Sequence, residues 1–279
     1  MQNLNLALES QAQSLAFGWV RHFAAADAAL PYTHYETARV LQLSDTVLLA
    51  GIIDAEGDDF FAEFKTASPR GAKTWKKEWL LSPQALTYGL LTGGKKRFLV
   101  RKAFKSATPS YDHEWFEFGP HDLIGWQQEV LMIAAEIKTY RDAGFTRWPL
   151  NFEHGCFAYG PNYACPYWEH SCSKFRFDGP AVGATLESAY PGSGGATDTF
   201  DEFRGDNRLV LTDAMNAAPN SIILTATRIK NWMRCREKYR RDQTTSFEPS
   251  DALLLGSRFH ELIANYNRTL IAKREKQNG

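Results

Sequence analysis

The sequence predicts an α/β fold, with a mixed central sheet flanked by helices. Three observations carry that expectation. Five strand-like segments lie between residues 33 and 118. Long stretches with helical spacing stand on either side of them, at Leu8–Leu30 and Asp122–Asp142. Of the 279 residues, 44% are hydrophobic and 13% aromatic, enough to bury one sizeable core.

The elements follow in order. Leu8, Leu15, Trp19 and Phe23 fall on one face of the first helix. Thr33 to Leu43 reads as a strand leading into a hairpin. Val47 to Asp54 is apolar and ends on an acid, Ala55-Glu56-Gly57-Asp58 reads as a turn, and Asp59 to Thr66 as the returning strand. Ser82-Pro83-Gln84 opens a short helix through Leu91, with Pro83 suited to its first position. Lys96–Arg101 and Glu114–Phe118 read as further strands. Asp122–Asp142 is a helix whose core face is Leu123, Val130, Ile133, Ala134 and Ile137. From Asp178 to Gly205 the chain is rich in Gly, Ala, Ser, Thr and Asp and holds Pro191-Gly192-Ser193-Gly194-Gly195, so residues 178–220 read as a flexible linker. Within it, Arg208–Thr212 reads as a short strand. Three parts result: a core over 1–177, the linker over 178–220, and a segment over 221–279 that packs onto the same domain.

The chemistry concentrates on the hairpin. Strand side chains alternate, so Glu63 and Lys65 share one side while Ala62 and Phe64 point to the other. A turn near Gly57-Asp58 sets Asp54 opposite Glu63. Two carboxylates and a lysine on one spot suit phosphodiester hydrolysis, because magnesium is held by one or two carboxylates plus substrate phosphate. An ammonium beside it orients the attacking water or stabilises the developing charge. An ordinary exposed hairpin with a Glu–Lys pair has the same local pattern. Farther on, Gln84 and Tyr88 are four apart and share a helix face.

With these residues the chain resembles the PD-(D/E)XK nuclease superfamily in its RecB-like branch. That branch carries a Gly-x-x-Asp motif, an acid-x-Lys-Thr motif and a helix with Gln-x-x-x-Tyr. Here they are Gly51/Asp54, Glu63/Lys65/Thr66 and Gln84/Tyr88, in the same order. The resemblance implies a metal-dependent DNA nuclease of restriction-endonuclease-like fold. Asp54, Glu63, Lys65, Gln84 and Tyr88 would be its catalytic set. Asp54, Glu63, the Phe64 carbonyl and His260 would hold Mg²⁺ or Mn²⁺. The implied substrate is DNA, single-stranded or with a free end, cut as an exonuclease in recombination, repair or phage DNA processing. Glu36 reads either as an accessory acid of the site or as an ordinary exposed glutamate. A non-catalytic DNA-binding subunit that keeps its metal cluster is the alternative function.

Four cysteines stand in the chain: Cys156, Cys165 and Cys172 in an irregular stretch, and Cys235 far downstream. Four thiolates suit a tetrahedral zinc or an iron–sulfur cluster, and the spacing does not separate the two. With no apolar signal core at the start, a reducing cytoplasm is expected, where grouped cysteines favour metal over disulfides. RecB-like nucleases with a 4Fe–4S cluster use one early and three late cysteines, so the resemblance implies that cluster here, with Zn²⁺ as the alternative. In that family the early cysteine and a Gly-x-x-x-His helix precede the nuclease core. Here Cys235 and Gly256-Ser257-Arg258-Phe259-His260 follow it. Read as Ser221–Gly279 followed by Met1–Phe177, the chain matches the family order, the pattern of a circular permutation; a truncated second nuclease module, or a tail that completes a neighbouring chain's site by swapping, are the rival readings.

Charge narrows the DNA-binding surface. Basic and acidic residues are equal at 32 each and the pI is about 7.1, so binding must rely on local patches rather than a general positive coat. Lys73, Lys76 and Lys77 interleave with Trp75 and Trp79. Arg228 and Arg236 belong to a basic run ending at Arg241, and Lys95, Lys96, Arg97, Arg101, Lys102 and Lys105 form a third group. Lysines contact phosphate, and a tryptophan such as Trp75 either stacks on bases or packs in the core. No apolar run approaches membrane-spanning length, no Walker-type loop is present, and a helicase or recombinase partner is not legible.

Overall fold

A computed structural model describes residues 6–69, 74–79, 82–106, 108–119, 121–144, 151, 165, 206–218, 220–236, 239 and 251–278. Its strands build one mixed sheet. β1 (Tyr32–Ser44) and β2 (Val47–Gly57) pair antiparallel from Tyr32↔Gly57 to Ser44↔Val47. β3 (Phe60–Ala67) turns back along β2 but pairs with it only beside the turn, at Ala55↔Ala62 and Glu56↔Phe61. Two short helices, α2 (Trp75–Trp79) and α3 (Pro83–Leu91), carry the chain to β4 (Arg97–Phe104), which runs parallel to β3 over its whole length. β5 (Ser110–Glu117) adds antiparallel to β4. β6 (Ile222–Thr225) lies parallel to the first half of β2, from Val47↔Ile222 to Ala50↔Thr225. The outer edge of β2 is therefore shared. β6 covers its start and β3 its end, and residues 51–54 lie between them. Gly51 and Asp54 bound that gap.

Helices cover both faces. α3, α4 (Asp122–Asp142) and α6 (Ala226–Arg234) pack over Leu49, Ile53, Phe61, Phe98 and Leu224. On the other face, α1 (Leu6–Ala29) and α7 (Asp251–Asn278) pack over Ala55, Ala62, Phe64, Leu99 and Ala103. Trp19 anchors this second layer, fully buried with its ring edge-on to Phe23, Phe64 and Phe259. A buried ion pair between Asp27 and Arg101 ties α1 to β4. The 221–279 segment is thus built into the sheet by β6 and laid across α1 and β3 by α7. Among the described residues no helix is long and apolar enough to cross a membrane.

The mixed sheet flanked by helices agrees with the expected α/β class, and the apolar faces read for α1 and α4 are those that face the core. Two details differ. β2 runs on through Ala55-Glu56-Gly57 and the chain reverses at Asp58-Asp59, because Ala55 and Glu56 find ladder partners in both β1 and β3. Residues 206–217 form a helix, α5 (Asp206–Ala217), where a short strand within a flexible linker was expected. Ala214 and Ala218, four apart, lay one helical face on Ala38, Leu48, Ala50 and Ile223, and that tertiary contact overrides a local apolar run. Residues 178–205, the rest of the expected linker, lie outside the described residues.

Candidate active site

Asp54 occupies the place where β2 and β3 separate. Continuing the ladder one step past Ala55↔Ala62 sets Asp54 across from Glu63, but the strands have already splayed there. The Phe64 N–H consequently donates to Asp54 Oδ2 at 2.6 Å instead of to a main-chain carbonyl. The pleat of β2 is also interrupted. Ile53 packs in the α3–α4 core while Ala55, two residues on, packs in the α1–α7 core. Across β1 from that point, between Tyr35↔Ala55 and Thr37↔Ile53, Glu36 holds a left-handed φ of 46°. The kink aims Asp54 toward Glu63.

Glu63 is 1% exposed, and its two oxygens have different surroundings. Oε1 forms an ion pair with Lys65 and accepts from Gln84 Nε2 at 2.8 Å. Oε2 is buried and, among the described residues, has no hydrogen-bond partner. An orphaned carboxylate oxygen in the interior is costly unless something cationic meets it. Gln84 Nε2 also donates to the Tyr88 hydroxyl at 3.1 Å, so the helix-face pair read from sequence works as one unit on Glu63. Gly51 makes room for it: a Cβ there would stand 2.9 Å from Leu91 Cδ1 and 3.0 Å from Tyr88 Cε1. His260, brought in by α7, places Nδ1 3.7 Å from Asp54 Oδ1, too long for a hydrogen bond.

The electrostatics follow from burial and crowding. Burial pushes the Asp54 carboxyl up to about 6, against the pull of Lys65 and the Phe64 N–H. Burial first, then the charge of Asp54, push Glu63 up to about 7. Burial works against the Lys65 ammonium too, but Glu63 and Asp54 outweigh it and raise its pKa. Burial and the Lys65 charge hold His260 down to about 4, so its ring is neutral near pH 7 and offers a lone pair. Glu36 is pushed up by burial and pulled down by Arg268, whose guanidinium donates to it at 3.0 Å. Two acids that resist ionisation together, with one orphaned oxygen, form a donor set that fits a hard divalent cation. Among the described residues no three His, Cys, Asp or Glu side chains form a ready-made metal cage. A magnesium ion completed by water and phosphate does not need one.

The residues expected to bind DNA fare differently. Trp75 is 1% exposed and donates Nε1–H to Asp112 at 3.1 Å, so its ring belongs to the core and is not offered to a base. Trp79 is buried as well. The reason is packing: α2 caps the apolar face around Phe98 and Phe116. Lys76 pairs with Asp112 and Glu114, and Lys77 is exposed. Arg228 donates to the Ile223 carbonyl at 3.2 Å, and Arg236 to Glu136 at 3.3 and 3.4 Å. In the third group, Lys95 pairs with Glu56, Arg97 with Asp59 and Arg101 with Asp27. Cys235 is buried at the end of α6, and Cys165 is half-buried. Lys73, Cys156 and Cys172 lie outside the described residues. Lys105, read from sequence only as one of the third basic group, and Ser257, read only as part of the Gly256–His260 motif, line one pocket with Lys65 and His260, a juxtaposition for which the sequence carries no signal.

No known family pattern matches the chain, and no curated protein matches it.

Proposed function

We propose that the chain is a divalent-metal-dependent DNA nuclease of PD-(D/E)XK type, acting on single strands or free ends. The observation that carries this reading is the buried, partnerless Glu63 Oε2 beside Asp54, with Lys65 paired to the other oxygen of the same carboxylate. Asp54, Glu63 and the neutral His260 would hold Mg²⁺ or Mn²⁺, with the Phe64 carbonyl as a further oxygen. The bound cation would supply charge for the phosphate oxygens and a more acidic water.

The chain's own residues do the rest. The Phe64 N–H fixes one oxygen of Asp54 and leaves Oδ1 directed toward His260. Gln84 fixes Glu63 from α3 and is itself seated by Tyr88. Lys65, at the rim of the pair, is placed to hold the attacking water and to meet charge developing on the phosphate. Burial limits rotation of the Asp54 and Glu63 carboxylates, which is how a site is preorganised. The four cysteines are read as ligands of a 4Fe–4S cluster, or of Zn²⁺, joining the Cys235 region to the 156–172 stretch. The order of motifs is read as a circular permutation of the family's chain.

The test is cleavage of end-labelled single-stranded DNA with Mn²⁺ or Mg²⁺, beside Lys65→Ala. Metal-dependent cutting that the substitution abolishes supports the site, and the label gives polarity. Cutting that survives Lys65→Ala puts the site elsewhere. No cutting by folded wild-type protein leaves a DNA-binding accessory subunit.

A further inference from the structure

Beside the carboxyl pair, a cleft of about 400 Å³ opens between the ends of β3 and β4 and the first turns of α7. Lys65, Thr66, Lys105, Gly256, Ser257 and His260 line it, with the exposed Leu253 side chain beside them. None of the lining side chains is acidic. Lys105 is half-buried, yet among the described residues its ammonium meets no carboxylate, and burial lowers its pKa. Its neighbours on the same stretch are engaged: Lys95, Arg97 and Arg101 by acids, and Lys102 over the Trp75 ring. The Lys105 N–H bonds the Ala67 carbonyl at 2.8 Å, which anchors the base of its side chain at the cleft. The hydroxyls of Thr66 and Ser257 enter no hydrogen bond among the described residues. At Gly256, a methyl group would come into van der Waals contact with Thr66 Oγ1, at 3.4 Å. A cation without a counterion and two unused hydroxyls, converging on one cleft, match the acceptor oxygens of a phosphate.

We propose that this cleft is a second phosphate subsite: it binds the backbone phosphate next to the scissile one of a DNA strand, with Lys105 as its cation and Thr66 and Ser257 as its hydroxyl donors. Its place beside the scissile phosphate rests on the nuclease reading above; its preference for phosphate does not. Lys105 also supplies the local positive charge that the basic groups tied up in ion pairs do not.

The experiment measures binding of a fluorescein-labelled single-stranded DNA oligonucleotide by anisotropy, with EDTA present so that nothing is cut. Wild type, Lys105→Met, Lys105→Arg and Ser257→Ala are compared. The same strand is then tested with one neutral methylphosphonate placed at each linkage in turn. Lys105→Met is expected to weaken binding about tenfold, as for loss of a charge-assisted contact. It should lower the slope of log affinity against log salt by about 0.7. One internal methylphosphonate should cost the wild type a similar factor and cost Lys105→Met nothing more, and Lys105→Arg should keep most of the affinity. Equal binding by Lys105→Met and wild type overturns the subsite. So does a methylphosphonate penalty that is the same in both proteins at every linkage. Sensitivity confined to a terminal phosphate overturns its assignment to the neighbouring linkage. Cleavage in Mn²⁺ is scored separately. A wild type that binds through Lys105 but cuts nothing overturns the nuclease and leaves the subsite standing. Cutting with a KM unmoved by Lys105→Met overturns the subsite alone.

Discussion

Glu63→Gln is expected to make the metal-free protein more stable at pH 8 and to leave it without that advantage at pH 4.5. Burial and the Asp54 charge lift the Glu63 pKa from 4.5 to about 7. The folded chain therefore binds more protons than the unfolded chain between those values, and stability falls as pH rises through the window. At about 1.36 kcal/mol per pH unit, the cost above pH 7 is on the order of 3 kcal/mol. Glutamine keeps the shape and can still accept from Gln84, but has no charge to lose. His260, held down to about 4, works in the opposite sense between about 4 and its ordinary value of 6.5. It is present in both proteins and cancels to first order in their difference. The assay is thermal unfolding in EDTA at a series of pH values. The variant's midpoint should equal the wild type's near pH 4.5 and exceed it by about 5 °C at pH 8. Added Mn²⁺ should then raise the wild type's midpoint at pH 8 and leave the variant's nearly unmoved, because the cation replaces the missing counter-charge at Glu63 Oε2. A midpoint difference that does not vary with pH would show that Glu63 is not held against its own ionisation. Equal response of both proteins to Mn²⁺ would remove Glu63 from the cation's ligands.

Other outcomes test the frame around the site. Asp27→Ala leaves Arg101 buried and unpaired, and should cost about 3–5 kcal/mol in urea unfolding, largely recovered in Asp27→Leu with Arg101→Met. Trp19→Ala empties the centre of the α1–α7 layer and should cost about 3–5 kcal/mol by the same measure. Gly51→Ala sets a methyl group 2.9 Å from Leu91 Cδ1 and 3.0 Å from Tyr88 Cε1 and so presses on the ring that seats the Gln84 amide; if the proposed nuclease function holds, DNA cleavage should fall about tenfold to a hundredfold with far-UV circular dichroism unchanged. Cys235→Ser should lower the iron and sulfide, or zinc, recovered with purified protein, and an unchanged metal content would release Cys235 from the ligand set.

Much of the site was legible because its parts are local. A period of two sets Glu63 and Lys65 on one side of β3, and a spacing of four sets Gln84 and Tyr88 on one face of α3. Neither relation needs the rest of the fold. The amphipathic faces of α1 and α4 were legible for the same reason, since the buried side repeats with the helix. Trp75 was not, because an aromatic among lysines reads alike whether it faces solvent or core; the layer under α2 decides.

By itself the sequence determined the α/β class, most of the strands of the sheet, the helices α1, α3 and α4, and the two pairs, Glu63 with Lys65 and Gln84 with Tyr88, that each share one side of an element. Only the tertiary structure decided the rest. The kink opposite Glu36 turns Asp54 toward Glu63, and the splay of β2 from β3 lends it the Phe64 N–H. α7 returns from the far end of the chain to set His260 beside Asp54 and to bring Ser257 into the cleft that Lys105 also lines. The physical reason is that spacing along a chain governs orientation within one element, whereas the meeting of two elements depends on which apolar faces they bury against each other.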